Sequence, residues 1–213
     1  MNATRPTAVK GFLIGFGVFL FMAFALLGVA RADNTQEAAD FVRKLGDKAV
    51  GTLADKSVSP EEASKVFRNM LETSFDVDLI GKFALGPSNW KAITPEQRQQ
   101  YLKLFQKLVV QIYSDRFKLY DGETFKVITS KAEDERDTYV VSSIEHPKTG
   151  APPVAVDWRV RNKGGKQQVI DVIVEGVSMT VTQRAEFLSV LQQNGGDFDA
   201  FLKILSARVA DVT

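Results

Sequence analysis

The sequence predicts an α+β protein, a curved antiparallel sheet of about four strands with flanking helices. Three observations carry this. Apolar residues recur at three-and-four spacing from Thr35 to Tyr120, alternate with period two from Phe125 to about Glu175, and return to helical spacing from Thr180 onward. Helices, then a run of strands, then helices again is the element order of an α+β domain rather than of an alternating α/β one.

The chain opens on an export signal. Arg5 and Lys10 form a basic start, Gly11 to Ala30 is uncharged and rich in Phe and Leu, and Ala30-Arg31-Ala32 offers the small residues that a signal peptidase needs. Residues 1–32 are therefore expected to be removed, leaving one domain over 33–213; the alternative is a retained anchor, since twenty apolar residues are about long enough to span a bilayer. Cleavage leaves 181 residues, enough for a real core, with 24 basic against 26 acidic side chains, a formal charge of −2. Electrostatic adhesion to anionic headgroups is not expected of that balance. Export without any cysteine fits a Gram-negative periplasm.

From Thr35 to Asp55, Ala38, Phe41, Val42, Leu45, Ala49 and Leu53 make one apolar stripe on a helix. Ser59-Pro60-Glu61-Glu62 is a helix start, with Ser59 as N-cap and Glu62 able to close a capping box; Phe67, Met70 and Leu71 follow on one side. Thr94-Pro95-Glu96-Gln97 repeats the signal and opens the longest amphipathic segment, which carries Tyr101, Leu102, Leu104, Phe105, Leu108, Val109, Ile112, Tyr113, Phe117 and Tyr120. A helix covering one sheet needs a stripe of about 100°, so this wider face is expected to contact more than one layer or to line a hollow.

Phe125, Val127 and Thr129 alternate with Lys126 and Ile128, Tyr139 to Ile144 alternate again, and Val154, Val156, Trp158 and Val160 form the clearest one-faced strand. Val169 to Glu175 is nearly continuous Val and Ile, broken by Asp171. Short turns at Lys148-Thr149-Gly150 and Asn162-Lys163-Gly164-Gly165 join the last three strands as an antiparallel meander. Two closing helices, about Thr180 to Gln193 and Asp197 to Val209, carry Phe187, Leu188, Leu191, Phe198, Leu202 and Leu205.

Composition narrows the chemistry. Without cysteine there is no disulfide framework, thiolate zinc site or cysteine nucleophile, and with His146 as the single histidine no two-histidine metal site forms within one chain. The near-neutral charge does not suit a nucleic-acid binder. His146 ends a strand with Glu145 pointing to the opposite face, so it has no base partner there and is expected to be an ordinary surface residue. Asp76 and Asp78 follow a helix and precede an apolar turn, where aspartate caps. Asp171 on an apolar strand is an acid or base candidate if buried, and Arg159 across the strand pair explains it more simply. Glu133-Asp134-Glu135-Arg136-Asp137 is expected to be a solvated hairpin turn. No P-loop, G-x-G-x-x-G or G-x-S-x-G is present. The surplus is apolar: fifteen Phe, two Trp and four Tyr accompany the Val/Ile-rich strands. Lipid, small molecule and protein remain as partners.

Asp171-Val172-Ile173-Val174-Glu175-Gly176-Val177-Ser178-Met179, followed by Gln183-Arg184 and Phe187, resembles the D-V…G-V-S-hydrophobic…R-x-x-F signature of the MlaC-like periplasmic phospholipid-binding family, also called the toluene-tolerance auxiliary family. Phe75-Asp76, Gly86, Trp90, Thr94-Pro95-Glu96-Gln97, Phe105 and Tyr113 stand in the order and approximate spacing of that family. Gln167 and Gln183 replace an aromatic and a Tyr, and the T-Q-R-x-E-F and N-G-G wording is more similar to the hopanoid-associated HpnM branch. The resemblance implies a nuclear-transport-factor-2-like fold with added helices and a deep pocket that takes acyl tails. It implies a monomeric carrier without cofactor or metal, whose cargo is a phospholipid or hopanoid-type lipid and whose partners are an inner-membrane ABC lipid-transport complex and an outer-membrane lipoprotein complex. The apolar surplus and the resemblance together point to Phe105, Val109, Tyr113, Val154, Val156, Trp158, Val172 and Val174 as walls of a hollow between the sheet and the broad helix, with Met179, Phe187 and Leu191 at its mouth. The alternative is a small hydrolase or isomerase of the same fold acting on an apolar substrate, with Asp171 and Asp76 as its acids.

Overall fold

The computed structural model describes residues 15–117 and 120–210, with side chains over 34–112 and 120–209. Seven helices and five strands follow in the expected order: α1 (Gly15–Ala54), α2 (Pro60–Ser74), α3 (Val77–Leu85), α4 (Pro87–Ala92), α5 (Pro95–Phe117), β1 (Thr124–Ala132), β2 (Asp137–Glu145), β3 (Val154–Lys163), β4 (Lys166–Val174), β5 (Val177–Ser178), α6 (Met179–Gln193) and α7 (Phe198–Ala210). The helix expected from Thr35 is the second half of α1, which continues back to Gly15. The start of the export segment, and the side chains of the Ala30-Arg31-Ala32 triplet, lie outside the described residues.

The helix starts form by local capping. Ser59 Oγ accepts from the Glu62 amide at 3.2 Å while Glu62 Oε2 accepts from the Ser59 amide at 2.9 Å, which satisfies two amide donors at the head of α2. Thr94 and Gln97 repeat the exchange ahead of α5, at 3.0 and 3.2 Å. Asp76 caps α3 by accepting from the Leu79 amide at 3.1 Å.

The sheet is an antiparallel meander in the order β1-β2-β3-β4-β5. The strand beyond the expected four is β5, two residues long, returned by a Glu175–Gly176 turn in which both residues have positive φ, +49° and +78°. Pairings of Val156 with Ser142 and Val174, and of Trp158 with Val140 and Val172, put these side chains on one face. A bulge at Ile128 corrects one expectation. Val127 opposes Ser142 and Thr129 opposes Val141, so Thr129 moves to the face opposite Phe125 and Val127, and Ile128 is left 60% exposed.

α1 lies across the apolar face of β1 to β4, and α2 packs beside it against β4. At Gly46 the two layers meet so closely that a Cβ would stand 2.0 Å from the Phe125 ring. The remaining helices build a separate core around Tyr101, Phe105, Phe187, Phe201 and Leu205. Burial pushes the Tyr101 phenol far above its usual titration range, and its hydroxyl donates to the Gly81 carbonyl at 2.7 Å.

Candidate functional site

The apolar sheet face is built from every second residue of four strands. Ala38 and Val42 of α1 close on Val140 and Val160, with Phe41, Phe125, Val127 and Trp158 around them. Leu45, Met70 and Val169 form the adjoining cluster, bordered by Phe41, Ala49, Val66, Phe75, Trp158 and Val172. Trp158 belongs to both. Its ring meets Phe75 and Phe125 edge-on at 6.5 and 6.1 Å, and its Nε1–H donates to Ser142 Oγ at 2.9 Å. Ser142 in turn donates to the Val156 carbonyl, whereas the buried Thr138 hydroxyl, opposite Val160 on the same face, has no hydrogen-bond partner among the described residues; what the face presents is chiefly hydrocarbon.

The second cluster runs outward into a cleft between α1 and α2, lined by Ala49, Thr52, Leu53, Ala63, Val66, Phe67 and Met70. Its cavity volume is about 10 Å³, room for about one water and far below the roughly 300–1,000 Å³ of a formed ligand pocket. Thr52 is its one polar side chain, and the Thr52 hydroxyl donates to the Lys48 carbonyl at 2.8 Å. The cleft is thus a shallow apolar seam between α1 and α2 that ends at Met70, which packs against Val169.

At the other end α1 is fastened by polar groups. Asn34 Oδ1 accepts from Asn162 Nδ2 at 2.9 Å and Gln167 Nε2 at 3.2 Å, and Gln167 Nε2 also reaches Glu37 Oε2 at 3.2 Å. Gln167, which stands where the family resemblance leads one to expect an aromatic, therefore ties α1 to the β3–β4 hairpin.

The eleven residues expected to line one hollow fall into two groups. Val154, Val156, Trp158, Val172 and Val174 share the sheet face that α1 and α2 cover. Phe105, Phe187 and Leu191 lie in the helical core, with Val109 packed against it, and among the described residues that core holds no strand residue. Phe105 touches Phe187 at 6.2 Å between ring centroids, and Phe187 touches Phe201 at 5.2 Å. Met179 opens α6, half-buried, and the side chain of Tyr113 lies outside the described residues. Among the described residues the broad face of α5 contacts several layers, chiefly α2, α3 and α7. Among the described residues an apolar seam opens to solvent between α1 and α2. The stripes of both helices were legible in sequence; what the sequence did not show was that they face each other over β4.

The polar candidates resolve into structural roles. Asp171 opposes Arg159 in register, yet its oxygens accept from Ser178 Oγ at 2.6 Å, Thr180 Oγ1 at 2.7 Å, the Thr180 amide at 3.2 Å and the Val172 amide at 2.9 Å. It places a negative charge at the head of α6, beside the Ser178 cap. Arg159 instead pairs with Glu133 at 2.7 Å and Asp137 at 3.7 Å. Glu133 to Arg136 are exposed as expected of a turn, but Asp137 is buried at 1% exposure, because Arg161 clasps both its oxygens at 2.7 and 2.6 Å. His146 is partly exposed, with Nδ1 3.6 Å from Glu123 Oε1, while neighbouring Lys148 pairs with Asp121 at 2.7 Å. Tyr139 donates to Asp157 at 2.9 Å; burial, and then that bond, push its phenol up to about 12.

Comparison with known proteins agrees along most of the chain. The family model described as MlaC protein matches residues 43–207. The toluene tolerance protein ttg2D of Pseudomonas putida is 27% identical over 195 residues, covering 90% of this chain and 88% of that protein. The intermembrane phospholipid transport system binding protein MlaC of Haemophilus influenzae is 25% identical over 186 residues, covering 84% of this chain and 85% of that one. A phospholipid-binding protein from Ralstonia solanacearum, solved in complex with a phospholipid, superposes with a TM-score of 0.70 at 22% identity, over 82% of this chain and 97% of that one. The last likeness establishes the α+β fold with its open antiparallel sheet.

Proposed function

This chain belongs to the MlaC family, and from that premise we propose that it is a periplasmic lipid carrier. It takes the acyl tails of a phospholipid or hopanoid-type lipid onto the apolar sheet face beneath α1 and α2. It shuttles that cargo between inner and outer membranes by docking in turn to an inner-membrane ABC lipid-transport complex and an outer-membrane lipoprotein complex.

The observation that carries the reading is the apolar sheet face with its seam. Trp158, Val172 and Val169 form a hydrocarbon floor in which the Trp158 indole N–H is already bonded, and a shallow apolar cleft between α1 and α2 ends at Met70, which packs on Val169. A diacyl lipid of roughly thirty methylenes carries on the order of 25 kcal/mol of transfer free energy. A carrier must therefore offer nearly the environment of the bilayer, so that exchange is close to neutral and the docking partners set direction. Met70 at the inner end of the cleft adapts to chains of different shape. The seam is narrower than its cargo, so uptake requires α1 and α2 to part from the sheet. Phe105 and Phe187 then hold the frame from which they move.

Purifying the protein from its host's periplasm, followed by solvent extraction and native mass spectrometry, tests this. One lipid per chain is expected, and its mass separates a diacyl lipid from a hopanoid. A chain that carries no lipid on both measurements overturns the proposal.

A further inference from the structure

At the corner where α3, α4, α5 and α6 meet, each helix carries a cation, and two of the four stand over one indole. Lys82 Nζ lies 5.7 Å from the Trp90 ring centroid and the Arg98 guanidinium 5.3 Å from it. Arg98 also donates to the Trp90 carbonyl at 2.9 Å and to that of Lys91 at 3.5 Å. Arg184 stretches over Gly86, its Nε 3.1 Å from where a Cβ would stand, and the Gly86 carbonyl accepts from the Trp90 amide at 3.0 Å. Among the described residues, none of Lys82, Lys91, Arg98 and Arg184 is in an ion pair. The acids nearest in sequence are Asp78, one turn before Lys82, Glu96, two residues before Arg98, and Glu186, which is bonded by Gln183; none of the three is ion-paired with these cations. Apolar side chains stand exposed on the same packed helices, Phe83 at 47% beside Lys82 and Val181 at 66% one turn before Arg184.

We propose that this corner is a docking surface for an anionic phospholipid bilayer. Lys82, Lys91, Arg98 and Arg184 stand against Asp78, Glu96 and Glu186 on the same helices, a local positive excess of unpaired cations that the near-zero net charge of the chain conceals. Exposed Phe and Val beside Lys and Arg is the composition that settles at a headgroup boundary, with the apolar part inserted and the charges among the phosphates. The surface lies on the rigid helical frame, away from the α1–α2 seam. A docked carrier could therefore open its seam without releasing the membrane. The inference extends the carrier reading but stands on different residues, so each can fail alone.

The test is co-sedimentation of the protein, as its host processes it, with phosphatidylglycerol–phosphatidylcholine vesicles against pure phosphatidylcholine vesicles. Binding to the anionic vesicles is expected and should weaken steeply with added salt. Lys82→Gln together with Lys91→Gln should reduce it by about tenfold or more, with circular dichroism and co-purified lipid unchanged. Phe83→Ser should weaken binding at all salt concentrations. Equal binding to both vesicle types, or no effect of the double substitution in a folded protein, overturns the proposal. So does a double variant that binds vesicles normally yet no longer exchanges lipid with membranes containing its protein partners, since the corner would then serve an acidic protein face. Vesicle binding in a chain that never carries lipid would leave this surface standing and sink the carrier reading.

Discussion

Two substitutions that place the same carboxylate on the same sheet face separate an openable layer from a sealed one. Val160 is 0% exposed, packed under α1 among Ala38, Val42 and Val140. Val172 borders the cluster of Leu45, Met70 and Val169 that continues into the α1–α2 cleft. In Val160→Glu the buried carboxyl stays neutral at pH 7, which costs about 3 to 4 kcal/mol relative to a normal glutamate. The lost apolar transfer of valine adds roughly 2 kcal/mol. A loss of about 5 to 6 kcal/mol is a large share of the roughly 5–15 kcal/mol that holds a domain together. In Val172→Glu the seam admits water to the charge, so the loss should be about 2 kcal/mol or less, while the floor of the tail site is spoiled. Urea denaturation of both variants gives the stabilities, and native mass spectrometry of the folded fraction gives lipid occupancy. The reasoning is refuted if the two variants lose equal stability and folded Val172→Glu still carries lipid.

Two further outcomes test the polar architecture. Asp171→Asn removes the charge that Ser178 and Thr180 bond at the head of α6, and should cost about 1 to 2 kcal/mol in urea denaturation while lipid stays bound; loss of a turnover activity with stability intact would instead favour an acid–base role. Thermal unfolding should also be acid-sensitive with a defined sign. The Glu123 carboxyl is held below its usual 4.5 by the Asp121 and Glu123 amides, that of Glu62 by the Ser59 amide and hydroxyl, and that of Asp134 below 3.8 by the Arg136 and Asp137 amides. Each folded pKa is depressed, so the folded state binds fewer protons than the unfolded one. Their stabilisation is complete above the ordinary carboxylate values and is lost as pH falls through the folded ones. Tm should be flat from about pH 7 to 5 and fall below that, less so in Asp134→Asn; a Tm that rises on acidification would contradict the assignment.

Local rules were legible in the sequence because their causes are local. The Ser59–Glu62 and Thr94–Gln97 caps need only four consecutive residues, and the one-faced β3 strand only its own alternation. Failures came where a partner distant in sequence decides. Asp171 reads as a candidate acid until α6 is seen to begin against it. Asp137 reads as part of a charged turn until Arg161, 24 residues on, closes over it. Phe105 and Trp158 read as opposite walls of one space because both are apolar and period-matched. Only the packing assigns the first to a helical core and the second to the face under α1. The Ile128 bulge is invisible to alternation counting, since one extra residue reverses every later side chain.

Where added volume comes from is decided by which layer gives way. In the helical core Tyr101, Phe105, Phe187 and Phe201 are each no more than 2% exposed, and they interlock ring against ring. Displacing one disturbs the contacts of three. Such interiors are packed like crystals and do not stretch. The α1–α2 layer is held differently. It meets the sheet through Phe41, which packs with Trp158 in both clusters, and through small residues at Ala38, Gly46 and Ala49; its polar fastening includes Asn34 and Glu37, and a shallow seam separates α1 from α2 near Met70. Lifting that layer exposes apolar surface that entering acyl tails cover again, so the cost of opening is largely cancelled by the cargo itself. The helical core offers no comparable exchange, because its rings interlock with one another rather than with a separable layer. The sequence thus divides one apolar surplus into a fixed half and a movable half, and the carrier reading depends on that division.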